Sequence, residues 1–304
     1  MVQAASAGGA WIPRPGEGNI QIGFSRKTAD RVWDAKGKEV FFKNTAGVAH
    51  FHDFRYGFIN GEVGLFPRVS GTFLMTYLWG FEGFKPDLEK NFGLSDAWFG
   101  AKFRIQDGRW PMALKTNVRT PFFYDQEGPY VRHLYNREPY RLPGGRVVQD
   151  TTFQVINNPE WRGLLKHDVT LAYVVSHSFT RFRGWMSFDA GYTWREGAPA
   201  DEIPLNGEMG YALPWKSHVV YAKAGLTMVK SLGNNSTPDS NDRFNFPPGS
   251  AYDFNDASML RGSLSLIWAF YGGRWNAEAG YGQWLWGRGA REYKEPFFTI
   301  GHSW

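Results

Sequence analysis

A transmembrane antiparallel up-and-down β-barrel of about twelve strands is the fold that this 304-residue sequence predicts, and three observations predict it. Apolar residues alternate with charges or glycines along segment after segment. The connections between those segments run mostly short and long in turn. The final segment alternates Phe298, Ile300 and His302 and closes on an aromatic residue, Trp304, as the last strands of bacterial outer-membrane barrels do.

Alternation alone does not choose between a soluble sandwich and a membrane barrel, because both bury one face of each strand. Composition narrows the choice. Aromatics make up 17% of the chain, with 14 Trp, and no run approaches the roughly 18 continuous apolar residues of a spanning helix. A helical membrane protein is therefore excluded. A barrel strand needs only every second residue to be apolar, so the negative mean hydropathy is compatible with membrane insertion. With no cysteine there are no disulfides, thiolate metal sites or lipoprotein anchor. The net charge of +5 is scattered among acids, which argues against nucleic acid as a partner.

In order, strands are expected over residues 19–28, 48–56, 61–74, 94–106, 110–121, 164–178, 183–194, 201–213, 217–229, 259–270, 274–286 and 291–304. Short turns are expected at 57–60, 107–109, 179–182, 214–216 and 272–273. Longer connections fall at 29–47, 75–93, 122–163 and 230–258, with brief ones at 195–200 and 287–290. Short periplasmic turns and long outer loops are the layout of outer-membrane barrels. The short turns also carry Trp beside a basic residue: Arg109–Trp110, Arg183–Gly184–Trp185, Trp215–Lys216 and Arg274–Trp275. Such pairs suit a membrane interface, where rings sit among headgroups and basic side chains reach phosphates. Residues 19–304 thus read as one barrel domain in the bacterial outer membrane. Residues 1–18 read as a periplasmic segment or leader remnant, with Ala5, Ser6 and Ala7 resembling a cleavage region. The Gly and Pro in that segment also suit a plug.

If the apolar face meets lipid, the other face lines the interior. Over 94–106, Ala97, Phe99, Ala101, Phe103 and Ile105 face outward, and Lys102 and Arg104 inward. Over 110–121, Lys115, Asn117 and Arg119 face inward; over 183–194, Trp185, Ser187 and Asp189; over 201–213, Glu202, Asn206 and Glu208. Further inward charges are Glu62, Arg68, Asp168, Lys223, Arg261, Arg274, Glu278, Arg291 and Glu295. Unpaired, each would cost several kcal/mol to bury, so the interior is wet or fully paired. Twelve strands enclose more room than side chains can fill in an eight-stranded barrel. The lumen candidates are Arg104, Lys115, Arg119, Asp189, Glu208 and Lys223. Arg132, Arg137 and Arg141 are the candidates on the long 122–163 loop, read as a constriction if it folds inward.

Two sites for other chemistry are weak. Ser176, His177 and Ser178 are consecutive, which puts the histidine on the face opposite both serines, so a lipid hydrolase built on one strand lacks its pair. His50 and His52 share a face but lack a third metal ligand. No cofactor is expected. The expected partners are a small-molecule solute and the outer-membrane lipid with its lipopolysaccharide. The rival to a channel is a closed barrel that serves as a structural or surface-interaction module.

Gly9–Ala10–Trp11–Ile12–Pro13, through Gly16–Glu17–Gly18 to Asp34–Ala35–Lys36–Gly37, resembles the start of proteobacterial outer-membrane barrels. Gly93–Leu94–Ser95–Asp96–Ala97–Trp98–Phe99–Gly100–Ala101–Lys102–Phe103 resembles a strand of the meta-pathway phenol-degradation family. That resemblance covers two short stretches and implies an outer-membrane channel for small, often aromatic compounds, with no catalytic residues. The charged lumen is more hydrophilic than such solutes suggest.

Overall fold

A computed structural model describes residues 9–34, 36–41, 50–84, 87–121, 131–136, 140–141, 147–148, 151–156, 167–179, 181, 183–196, 200–214, 219–233 and 257–304. Twelve strands close into an antiparallel barrel. They are β1 (Gly18–Ala29), β2 (His50–Phe66), β3 (Val69–Phe84), β4 (Asp87–Leu94 and Ala97–Gln106, joined through Ser95 and Asp96), β5 (Met112–Thr120) and β6 (Asp168–Phe179). The others are β7 (Gly184–Arg195), β8 (Glu202–Ala212), β9 (Val219–Ser231), β10 (Ser258–Phe270), β11 (Trp275–Arg288) and β12 (Lys294–Ser303). Each pairs with its sequence neighbours, and β1 closes the wall on β12, with Asn19 opposite Ser303 and Phe24 opposite Phe298. Closure leaves no sheet edge among the barrel strands, so the wall's backbone groups are satisfied without water, as a lipid environment requires.

The outward positions are apolar and exposed: Ile22, Phe103, Leu114, Leu171, Phe188, Met209, Leu226, Leu264, Phe298 and Ile300 are each more than a third accessible. A soluble barrel would not leave such a band uncovered; in a bilayer it faces acyl chains. Aromatic rings mark both rims. At the periplasmic end Trp110 stacks on His177 at 4.2 Å, and Trp275 meets His302 at 4.5 Å. At the outer end Trp79 lies against Phe24 and Tyr77, at 5.6 and 6.2 Å. Trp185 is not part of this girdle. It faces the interior, where its indole covers Gly210 and meets Tyr221 edge-on at 5.2 Å. Trp215 and Lys216 lie outside the described residues.

Two expected connections are strand instead. The turn expected at 57–60 lies in the middle of β2, paired with β1 (Gly23 opposite Phe58, Gln21 opposite Asn60) and with β3; the chain turns at Pro67 and Arg68, so Arg68, expected inward on a strand, is exposed in a turn, as Arg274 is after β10, and Arg291 belongs to the small outer sheet. Its glycines accommodate neighbours rather than reverse the chain, since a Cβ on Gly61 would strike the Phe73 ring at 2.7 Å. The loop expected at 75–93 is a hairpin in which β3 runs to Phe84 and β4 returns from Asp87. The alternation simply continues, with Leu78 inward and buried and Tyr77 and Trp79 outward. Within the long third loop, Val131–Asn136 pairs with Thr151–Ile156, and the latter comes against Asp87–Leu94. A small sheet of Arg31–Trp33, Glu39–Phe41 and Ala290–Arg291 sits at the outer mouth. The Asp34 carboxylate accepts the backbone N–H groups of Lys36 and Lys38, both at 2.8 Å, and these bonds hold it below the usual carboxylate range.

Candidate functional site

The interior is assembled from every second residue of each strand, and it divides into three levels. At the periplasmic end, residues 9–17 run inside the barrel. Pro15 bridges to Gly64, and backbone bonds of 2.9 Å link Gly16 to Gly64 and Gly64 to Glu17. A Cβ on Gly64 would lie 2.1 Å from the Arg14 carbonyl oxygen, so only glycine admits the arm here. Deeper inside, Ala10 is fully buried against Ala113 and Val174, and its N–H donates to Ser176 Oγ at 2.7 Å.

Inward charges clamp this arm. Lys102 Nζ donates to the carbonyls of Gly9 and Trp11 at 3.2 and 3.3 Å and sits 2.7 Å from Glu62 Oε2, in a pair only 2% and 3% exposed. Ser70 Oγ donates to the other oxygen of Glu62. Arg104 Nη2 donates to the Ile12 carbonyl at 2.7 Å and Nη1 meets Asp107 at 3.0 Å. These cations therefore saturate carbonyls that a buried, non-sheet segment would otherwise leave unpaired.

Above the arm lies a cavity of about 510 Å³, reached by Gly9 from below and walled by β1, β2, β5 and β7 to β12. Lys115, Asp189, Glu208 and Lys223 all line it, together with Arg261, Glu278 and Glu295. Lys223 pairs with Glu278 at 2.6 Å and Arg261 with Glu295 at 2.9 Å, while Asn206 Nδ2 donates to Asp189 at 2.6 Å. Among the described residues Lys115 has no ion-pair partner. Two aromatic rings, Phe58 and Phe297, share the cavity wall; they occupy the space beside Gly23 and Gly280 that a Cβ would need. Phe297 was legible from the outward set Phe298, Ile300 and His302, whereas Phe58 was hidden in the expected turn.

The outer level is a ladder of alternating charge across five adjacent strands. Asp96, Arg119, Asp168, Arg195 and Glu202 follow one another around the wall. Arg119 pairs with Asp168 and lies 3.8 Å from Asp96; Arg195 Nε is 3.6 Å from Asp168, and its Nη2 is 2.6 Å from Glu202. Trp98 covers the Arg119 guanidinium at 5.0 Å. Arg119 is thus held in the wall network and does not line the cavity. On the far side of the mouth, Trp33 of the outer sheet packs with Trp284 and Ala290, and Tyr293 adds an edge at 5.1 Å. His52 is buried there beside Arg291 Nη1, with 2.6 Å between nitrogens.

Of the loop candidates, Arg132 and Arg141 lie on strands of the third loop, their side chains outside the described residues; Arg137 lies outside them altogether. The side chain of His50 is likewise outside. Ser176 faces the lumen and bonds Ser187 at 3.0 Å, while His177 faces outward with Nδ1 2.8 Å from the Arg109 carbonyl oxygen. The strand thus separates the serine and histidine of the hydrolase reading.

Comparison with solved structures finds the same fold. An outer membrane channel from Pseudomonas putida F1 superposes with a TM-score of 0.61 at 11% identity, covering 99% of this chain and 100% of that one. A FadL homologue from Pseudomonas aeruginosa (TM-score 0.43, 10% identity, 95% and 90% covered) and the translocator domain of the autotransporter NalP from Neisseria meningitidis (0.44, 9%, 95% and 89%) match more loosely. No protein-family model and no curated protein matches the sequence. The closed wall and its apolar outer band, with the fold shared with the Pseudomonas putida F1 channel, identify a β-barrel of the bacterial outer membrane.

Proposed function

We propose that this barrel is an outer-membrane channel that passes small polar or amphipathic solutes by diffusion through a narrow, charge-lined lumen. The observation that carries the reading is the cavity of about 510 Å³ above the arm, walled by four carboxylates, three cations and two phenyl rings. A dry core would not hold that set, and a purely structural network would pair all of it; among the described residues Lys115 has no ion-pair partner. Opposed acids and bases across a space of this width set up a transverse field that orients dipolar solutes. Phe58 and Phe297 add an apolar face for a ring or short chain. The solved relative from Pseudomonas putida F1, itself described as an outer membrane channel, supports the class of function.

In this reading the arm narrows the periplasmic side, and the Trp33–Trp284–Tyr293 cluster narrows the mouth. A contribution from the long third loop, with Arg132, Arg137 and Arg141 as contacts, rests on the sequence. Single-channel conductance in a planar bilayer under a salt gradient tests the proposal: discrete openings with a reversal potential support it, and an inserted but electrically silent barrel supports the closed structural module. Lys115→Glu is expected to raise the cation-to-anion permeability ratio roughly twofold or more, since it reverses an unpaired charge in the confined path. An unchanged reversal potential for that variant would place Lys115 off the path.

A further inference from the structure

Charge is almost absent from the lipid-facing side of the wall. On β5 to β8 the outward positions are Met112, Leu114, Thr116, Val118, then Val169, Leu171, Tyr173, Val175, His177 and Phe179, then Met186, Phe188, Ala190, Tyr192 and Trp194, then Ile203, Leu205, Gly207, Met209 and Tyr211. None is an acid, a lysine or an arginine. The three adjacent strands β12, β1 and β2 differ. Lys294, Arg26 and Arg55 all face outward there, with one carboxylate, Asp53, among them.

The register places these groups together. Thr28 stands between Lys294 on β12 and Asp53 on β2, and Arg26 stands directly opposite Arg55. Arg26 donates from Nε and Nη2 to the two oxygens of Asp53 at 2.8 and 2.7 Å, and Arg55 Nη2 lies 3.8 Å from the same carboxylate. Asp53 is 5% exposed, but Arg26 and Arg55 are 46% and 40% exposed. The carboxylate is therefore a brace set into the wall, and it fixes one guanidinium in a single orientation with three N–H donors left over. Lys294 is exposed and has no partner among the described residues. Three cations against one anion leave a local charge of two, positive, whereas Lys230, also outward, on β9, stands alone opposite Ile203.

Height decides what such a surface meets. Eight residues at about 3.3 Å each along a strand tilted about 40° raise Arg26 about 20 Å above Gly18, close to the top of the roughly 25 Å apolar band. Trp79, opposite Arg55, and Phe24 and Tyr77 mark that boundary. Below the cations the wall presents Ile22, Phe298 and Ile300, a smooth apolar surface for acyl chains.

The geometry points to a phosphate-binding site on the outer wall, at which Arg26, Arg55 and Lys294, braced by Asp53, take the phosphate groups of a phosphorylated glycolipid of the outer leaflet, lipopolysaccharide. The cations span two inter-strand spacings of about 4.8 Å each, which suits a headgroup with more than one phosphate. The site depends on the membrane placement of the wall and not on what crosses the lumen.

The test is binding of diphosphorylated lipid A to the delipidated full-length protein in detergent micelles, followed by native mass spectrometry. The probes compared with it are enzymatically dephosphorylated lipid A and inorganic phosphate. The expected result is that the double variant Arg55→Gln/Lys294→Gln, which keeps the Arg26–Asp53 brace, binds diphosphorylated lipid A about tenfold more weakly than the native protein. Native protein and variant should bind the dephosphorylated lipid equally weakly, and millimolar phosphate should not compete. Equal binding of the phosphorylated lipid by both proteins would overturn the site, and so would equal binding of both lipids by the native protein. Effective competition by inorganic phosphate would reassign it to a free anion. A heat-modifiability gel confirms that the variant is folded; should it not be, Lys294→Gln alone is read, with a severalfold loss expected and no loss counting against the site. Channel conductance of the variants should match the native value, which separates this outcome from the channel proposal.

Discussion

Gly64→Val is expected to raise single-channel conductance severalfold while leaving the barrel folded. The side chain would occupy space held by the Arg14 and Pro13 carbonyl oxygens, 2.1 and 2.5 Å from the Cβ position, and both belong to a backbone that cannot swing aside locally. The arm must leave as a unit. Its departure removes the acceptors of Lys102 and Arg104, so the periplasmic side of the lumen gains both width and mobile positive charge. Release is read independently as chymotrypsin cleavage after Trp11, slow in the native protein, where Lys102 holds the Trp11 carbonyl, and rapid in the variant. Gly207→Ala, on the lipid face with only Phe188 nearby, serves as the control. Conductance that stays at the native level after the Trp11–Ile12 bond has become cleavable would show that the arm does not limit the path.

Arg119→Ala is expected to cost about 3 kcal/mol or more of barrel stability. Asp168 is 2% exposed and carries Arg119 on one side and Arg195 on the other; removing one cation leaves a buried carboxylate half-compensated and strips the guanidinium from Trp98. Urea unfolding in detergent micelles, followed by tryptophan fluorescence, reads the loss. The companion Arg119→Ala/Asp168→Asn should recover much of it, because the uncompensated charge is gone. A single variant as stable as the native protein would mean that the ladder of alternating charge contributes nothing to the wall.

The alternation of side chains made the wall legible before its geometry. Phe99 and Phe103 outward with Lys102 and Arg104 inward, and Ser187 and Asp189 inward opposite Phe188, are as the period of two predicts. Turn chemistry misled where glycine had another use. Gly57 and Gly61 around Phe58 and Asn60 read as a reversal, yet these glycines sit in β2, and the strand runs on to Phe66. The same period places Arg104, Lys115, Arg119, Asp189, Glu208 and Lys223 inside, but it carries no information on height along the barrel. Height separates them: Arg104 clamps the arm, Arg119 joins the outer ladder, and the other four meet around the cavity. Nor does periodicity reveal an irregular segment such as 9–17, whose place is fixed by Lys102, Gly64 and Ser176, residues up to 166 positions away in the chain.

At the seam between β1 and β12, Trp304 Nε1 donates to the Gly16 carbonyl at 3.1 Å, and backbone bonds join Gly18 to Trp304 in both directions. Gly16 leaves the ribosome long before Trp304, and while its N–H is held by Gly64 of β2, its carbonyl finds a partner only when the last strand arrives. The strand that completes the wall is therefore also the last fastening of the arm. A cell inserting this chain is spared a stage at which a finished, unobstructed hole stands in its envelope.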